Sequence, residues 1–151
     1  MSTATVANIA KGKVARYADL PNANDALIAV LLKSSGLESA ATLQDYDTLS
    51  AILAAANDES AFTSYARQTL ASVTSTPDDT NNRMDVDAAD FSFTVGSLEA
   101  VGMLVICYDP DTTTGTDADL IPLVFDDSVA GTPPVGTLTY QVASSGFFRA
   151  S

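Results

Sequence analysis

Along most of this chain apolar and polar positions alternate or gather in short blocks, and one stretch alone shows the three-to-four spacing of a helix without an equally good strand reading. Ala26 to Leu32 (ALIAVLL) is a continuous apolar run, read as a buried strand that Gly36 follows, although periodicity by itself leaves helix open. Arg83 to Asp87 and Asp90 to Val95 alternate, the second with Phe91, Phe93 and Val95 on one face. Met103 to Tyr108 (MLVICY) predicts a central strand. Leu120 to Phe125 (LIPLVF) predicts another, which Pro122 pushes towards an edge or a bulge because it has no amide donor. Leu138 to Val142 and Gly146 to Arg149 close the chain. Thr76 to Asn82 reads as a turn cluster, Gly131 to Gly136 as a turn and Asp109 to Asp119 as a loop. Phe62 to Val73 fits a helical and a strand face equally well.

The helix is expected over Leu43 to Ala56, where Leu43, Tyr46, Leu49, Ile52 and Leu53 form one apolar stripe. Thr42 is placed to cap it, with Asp45 three residues later in an Asp variant of the capping box. Asn57 is the expected stop, and Ala51, Ala54, Ala55 and Ala56 keep the last turns slim enough to pack on a sheet. Several short strands with one amphipathic helix predict a mainly β fold, a sandwich or barrel-like single domain. Residues 1–24 are small and polar and read as an N-terminal arm or edge strand. Residues 25–151 read as the β-rich domain.

Composition and charge narrow the possible functions. The 151 residues carry seven Lys+Arg against nineteen Asp+Glu, a net charge of -12. Wrapping nucleic acid or docking on anionic lipid needs clustered cations, so neither partner is expected. Twelve of the acids and two of the bases lie from Ser72 onward, and sixteen acids are Asp, the residue of turns and loops. There is no His and one Cys, which removes the commonest acid/base catalyst, most zinc sites and any internal disulfide. No basic segment leads into an apolar run at the N-terminus, so no signal peptide is expected, and no apolar run approaches the ~18 residues of a membrane span.

Candidate chemistry is sparse. Asp109, Asp111, Asp117 and Asp119 could gather around Ca²⁺ in one loop. With Asp109 counted as position one, however, Gly115 falls at seven instead of six and Leu120 stands where an EF-hand has its bidentate Glu. A solvated strand connection is the simpler reading, and no metal or cofactor is expected. A Ser-His-Asp triad is impossible without His, and Gly-x-Ser-x-Gly does not occur. Cys107 lies in an apolar run that raises a thiol's pKa and limits access, so it reads as core. No enzymatic activity is expected. Lys11, Lys13 and Arg16 are the local excess of positive charge, read either as a solvated edge or as an arm that stays mobile until it meets an acidic partner surface.

One block carries a resemblance. Tyr65 to Thr94 contains Ala-Arg-x-Thr-Leu, then Asp-Asp-x-Asn-x-Arg, Asp-Ala-Ala-Asp and an alternating aromatic/Thr strand. Leu104 to Asp109 and Leu120 to Leu123 continue it, and Ala10 to Lys13 and Gly146 to Ala150 fit at the ends. In this the chain resembles small virion-associated proteins of tailed bacteriophages. The resemblance implies a virion component made in the host cytoplasm, a head decoration or cement protein on the capsid exterior. Its partners would be the major capsid protein and copies of itself in a homo-oligomer. A head-tail connector or tail component is the alternative within virions. A soluble Ca²⁺- or carbohydrate-binding module is the alternative outside them. The shared motifs are structural, and no functional residue is transferred.

Overall fold

The structure, a computed structural model, describes residues 4–144 and 146–150. At its centre the two most apolar runs pair with each other. β2 (Ala26–Lys33) runs antiparallel to β7 (Val101–Asp109), from Ala26 opposite Asp109 to Lys33 opposite Val101. Both are buried along almost their whole length, which explains runs of apolar residues in place of alternation. The ladder skips Gly102, since Leu32 faces Met103 and Lys33 faces Val101. A Cβ at Gly102 would stand 2.6 Å from Leu37 Cδ2 and 2.8 Å from Ser34 Cα, so the bulge needs glycine there.

Three shorter strands complete this sheet in the order β1-β8-β7-β2-β3, with β1 (Thr5–Val6), β8 (Ile121–Asp126) and β3 (Gln68–Thr69). On β8 the pairing passes from Pro122 opposite Cys107 to Val124 opposite Ile106, leaving Leu123 as an extra residue. Of the two places open to Pro122, the bulge is the one it takes. Beyond this sheet, β4 (Thr74–Asp78), β5 (Arg83–Asp87) and β10 (Phe148–Ala150) form a second in the order β10-β5-β4, and β6 (Phe91–Val95) pairs with β9 (Gly136–Tyr140). Every pairing is antiparallel, and the fold is mainly β as the sequence predicts.

Three local expectations need correction. The turn cluster Thr76 to Asn82 is shorter than predicted, because Thr76, Pro77 and Asp78 pair with Asp85, Met84 and Arg83. β4 is an edge strand, where a residue without an N–H is tolerated. Phe62 to Val73 is neither helix nor long strand: it runs beside β2 and enters the sheet only at Gln68–Thr69.

The third correction is the helix. In place of one helix over Leu43 to Ala56 there are α2 (Ala40–Leu43) and α3 (Leu49–Ala54), in addition to α1 (Val14–Ala18). Ser39, not Thr42, caps α2 by accepting from Thr42 N, and Thr48 caps α3 by accepting from Ala51 N. Tertiary bonds hold the break open beside the local Thr48 cap. The Gln44 carbonyl accepts from Asn8 N at 2.7 Å, and the Asp45 carboxylate takes the Asn8 side-chain amide. The apolar stripe survives it, with Leu43, Leu49 and Ile52 fully buried.

The segment read as an arm or edge strand contributes Thr5–Val6 to the sheet opposite Phe125 and Val124. Ala7, Ala10, Val14 and Ala18 then enter the core, and α1 packs against β5 and β4. Residues 4–18 are thus part of the packed body, not a detached arm. Among the described residues no helix is long and apolar enough to cross a membrane.

Candidate functional site: the acidic loop and the Arg67 clamp

The connection from β7 to β8 is built of Asp and Thr, and short-range bonds set its path. Asp109 Oδ1 accepts from Asp111 N at 3.0 Å. Asp111 accepts from Thr113 N at 3.0 Å and from the hydroxyls of Thr113 and Thr114 at 2.5 and 2.7 Å. Asp119 Oδ2 accepts from Thr116 N at 2.8 Å. The bonds to Asp109 and Asp111 are the Asx-type turns that short acidic side chains favour, and Asp119 reaches back three residues instead. Longer bonds pin the loop at both ends: Thr112 N donates to Asn24 O at 2.9 Å, and Leu49 N to Leu120 O at 3.0 Å. The second bond, with Ser50 N to Asp117 O, seats the start of α3 on loop carbonyls.

Asp117 turns the other way, to Arg67. Arg67 Nη1 and Nη2 donate to Asp117 Oδ1 and Oδ2 at 2.6 and 3.0 Å. Its Nε and Nη2 donate to Glu59 Oε1 and Oε2 at 2.8 and 2.6 Å. The guanidinium thus forks onto two carboxylates at once, the geometry in which Arg outperforms Lys. Tyr65 extends the network by donating its hydroxyl to Glu59 Oε1 at 2.8 Å while accepting from Leu31 N at 3.1 Å. That last bond satisfies a β2 amide just beyond the end of β3.

The electrostatics follow the bonding. Bonds to Glu59 and Asp117 raise the Arg67 pKa further, and the Arg67 bonds hold the Asp117 carboxyl below the ordinary range. The Thr113 and Thr114 hydroxyls do the same for Asp111. Burial, more than its other neighbours, pushes the Tyr65 hydroxyl well above its usual value. Asp111 and Asp117 are therefore anions at neutral pH, the opposite of what a general acid requires.

The sequence candidates can now be placed. Asp109, Asp111, Asp117 and Asp119 share a loop but not a focus, since each carboxylate serves a different local partner. Among the described residues no group of three or more His, Cys, Asp or Glu is arranged to hold a metal ion. A groove of about 390 Å³ lies between Ile28, Arg67 and Thr69 on one side and Thr112 to Asp117 on the other. Thr69, Thr112, Thr113, Thr114 and Thr116 make up much of its lining, and Arg67 borders it with four of its five N–H donors engaged. Cys107 is fully buried, and burial drives its thiol pKa upward.

Lys11, Lys13 and Arg16 all lie exposed on the turn into α1 and on α1 itself. Lys33 pairs with Glu99, Arg67 with Glu59 and Asp117, and Arg83 with Asp78 and Asp85. No ion pair involves Lys11, Lys13 or Arg16 among the described residues. The clamp itself was missed by sequence reasoning, which singled out the Ala-Arg-x-Thr-Leu block around Arg67 without a role for the cation. No family model matches the chain, and neither a curated protein nor a solved structure matches it.

Proposed function

We propose that this protein is a non-enzymatic structural component of a phage virion, a decoration or cement protein that binds the outer surface of the head. Its partners are the major capsid protein and further copies of itself. One observation carries the reading beyond the resemblance of the Tyr65 to Thr94 block. In a chain of net charge -12, three cations without an ion-pair partner among the described residues lie within six positions on one packed segment. Ala7, Ala10, Val14 and Ala18 anchor that segment in the core, so Lys11, Lys13 and Arg16 are presented with little ordering cost on docking. An acidic shell surface would meet this patch and repel the Asp-rich loops, which sets an orientation.

Mass spectrometry of purified virions tests the role, and absence of the chain from them overturns it. Purification with tails alone transfers it to the connector or tail class. Purified protein titrated onto heads that lack it tests the mechanism. Deleting residues 1–16 would also take Ala7, Ala10 and Val14 out of the core, so charge reversal is the cleaner variant. K11E/K13E/R16E should weaken binding at least about tenfold and flatten its salt dependence. Unchanged affinity and salt response would exclude the patch as the contact.

A further inference from the structure

Strand edges are templates for further pairing, and folded chains blunt them with charge, proline, bulges or shortness. Four edges here are blunted in this way. β1 and β3 are two residues long, β10 is three, and β4 carries Pro77 and Asp78. The far side of β6 is flanked by the 63–71 segment, through Gly96 N to Thr63 O at 2.7 Å and Ala89 N to Ala71 O at 2.9 Å.

β9 has none of these protections. It is the five-residue run Gly-Thr-Leu-Thr-Tyr, paired with β6 in unbroken register from Phe91 opposite Tyr140 to Val95 opposite Gly136. Among the described residues no backbone hydrogen bond reaches it on its other side. A cavity of about 390 Å³ lies against it, between Leu138 and Tyr140 of the strand and the chain's own Asp126, Val129 and Phe147. Gly136, Thr137 and Thr139 are exposed, and a Cβ built at Gly136 meets nothing within 4 Å. Val135, immediately before the strand, is 62% exposed, one of two large apolar side chains left so open among the described residues.

We infer that the open edge of β9 is a self-association surface, at which two copies of this chain pair antiparallel about a two-fold axis through Leu138. Three observations favour a second copy as the occupant. Residues 128–148 contain no charged side chain in a protein of net charge -12, and the carboxylate beside the strand, Asp126, is engaged by the Tyr140 hydroxyl at 2.6 Å, so two like-charged copies can meet here with little repulsion. The strand is also self-complementary about Leu138. Thr137 falls opposite Thr139 of the second copy, a favourable cross-strand pair. Gly136 falls opposite its Tyr140, the aromatic-against-glycine pairing that compensates a bare strand position. Finally, a two-fold normal to the sheet keeps faces in place. The β6 and β9 ribbons would join into four strands with Ser92, Thr94, Thr137 and Thr139 on one uncharged outer face. The inference rests on the strand edge and not on the virion reading, and its test uses the isolated protein.

Sedimentation equilibrium over a concentration series should show a monomer–dimer transition, with amides of residues 136–140 exchanging more slowly in the dimer. T137E/T139E places carboxylates opposite one another across the axis at exposed positions. It should weaken dimerisation at least about tenfold. Circular dichroism, and a thermal melt matching the unsubstituted protein at concentrations where both are monomeric, show that the fold is kept. T137K/T139K should likewise be monomeric, and mixing it with T137E/T139E should restore a heterodimer. That rescue reads the pairing even if either variant is less stable. A chain that stays monomeric at high concentration overturns the inference. So does a dimer indifferent to both variants, or one whose β9 amides exchange as fast as in the monomer.

Discussion

Arg67 and Asp117 lie fifty positions apart in the chain and meet through two hydrogen bonds of 2.6 and 3.0 Å. The same guanidinium holds Glu59, so one side chain ties the 58–70 segment to the loop between β7 and β8. Replacing it leaves two carboxylates facing each other without a cation. Arg67→Ala should destabilise the fold by about 1–3 kcal/mol, a range kept low because the groups retain solvent contact. Arg67→Lys should recover only part of this, since an ammonium cannot fork onto both acids. Urea unfolding of the two variants decides it, and equal stability of Arg67→Lys and the unsubstituted protein would contradict the clamp.

Asn57 is 1% exposed and uses both ends of its amide. Its Oδ1 accepts from Glu38 N at 2.9 Å, and its Nδ2 donates to Glu38 Oε2 at 2.7 Å and to Ile52 O at 3.1 Å. Asn57→Ala should cost about 1–3 kcal/mol by leaving the Glu38 amide and the buried Ile52 carbonyl without this partner, while Glu38 Oε2 keeps the Tyr46 hydroxyl. Asn57→Asp should cost more at neutral pH, because a carboxylate cannot donate to the Ile52 carbonyl and faces Glu38. A chemical-denaturation series that ranks the aspartate above the alanine would refute this account of the residue.

Gly102→Ala tests the bulge. The new methyl would stand 2.8 Å from the Ser34 backbone as well as against Leu37. The expected loss is about 1–3 kcal/mol from overpacking. A melting temperature within a degree of the original would mean that the strand shifts to make room.

The pH dependence of stability follows from shifts in both directions. Burial raises the pKa values of Tyr65 and Tyr140 in the folded protein. The stability tied to them is complete below about pH 10, where unfolded tyrosine stays neutral, and is lost as pH rises beyond that. Asp117 is shifted down by Arg67, so its contribution is present above about pH 4 and lost as pH falls through the lower folded value. Melts should therefore be flat between about pH 5 and 8 and fall on both sides. Tyrosinate absorbance from the buried rings should rise together with unfolding and not ahead of it.

What could be read before folding was what depends on neighbours along the chain. The apolar runs 26–32 and 103–108 mark buried segments, the first still open to helix on period alone, and the alternation over Phe91, Phe93 and Val95 marks a strand, because side-chain period reports burial on one face or both. Pro122 announces an edge or a bulge since its missing donor is a local fact, and the pairing with β7 decides for the bulge. The Asx turns of the acidic loop are local too, which is why it reads as a strand connection from sequence.

The remainder was decided by partners far away in sequence. Within Leu43 to Ala56 the Thr48 cap starts a new helix, and Asn8 taking the Gln44 carbonyl fixes where the first one ends. The ambiguity over Phe62 to Val73 ends only when β2 supplies an edge for that segment to follow. Arg67 looks like any surface cation until Glu59 and Asp117 converge on it. The openness of β9 likewise depends on which strands the rest of the chain brings beside it. Periodicity determines which residues turn inward, because burial is a property each residue shares with its near neighbours. Tertiary structure determines which polar groups meet, because a hydrogen bond or ion pair between residues fifty positions apart leaves no period in the sequence.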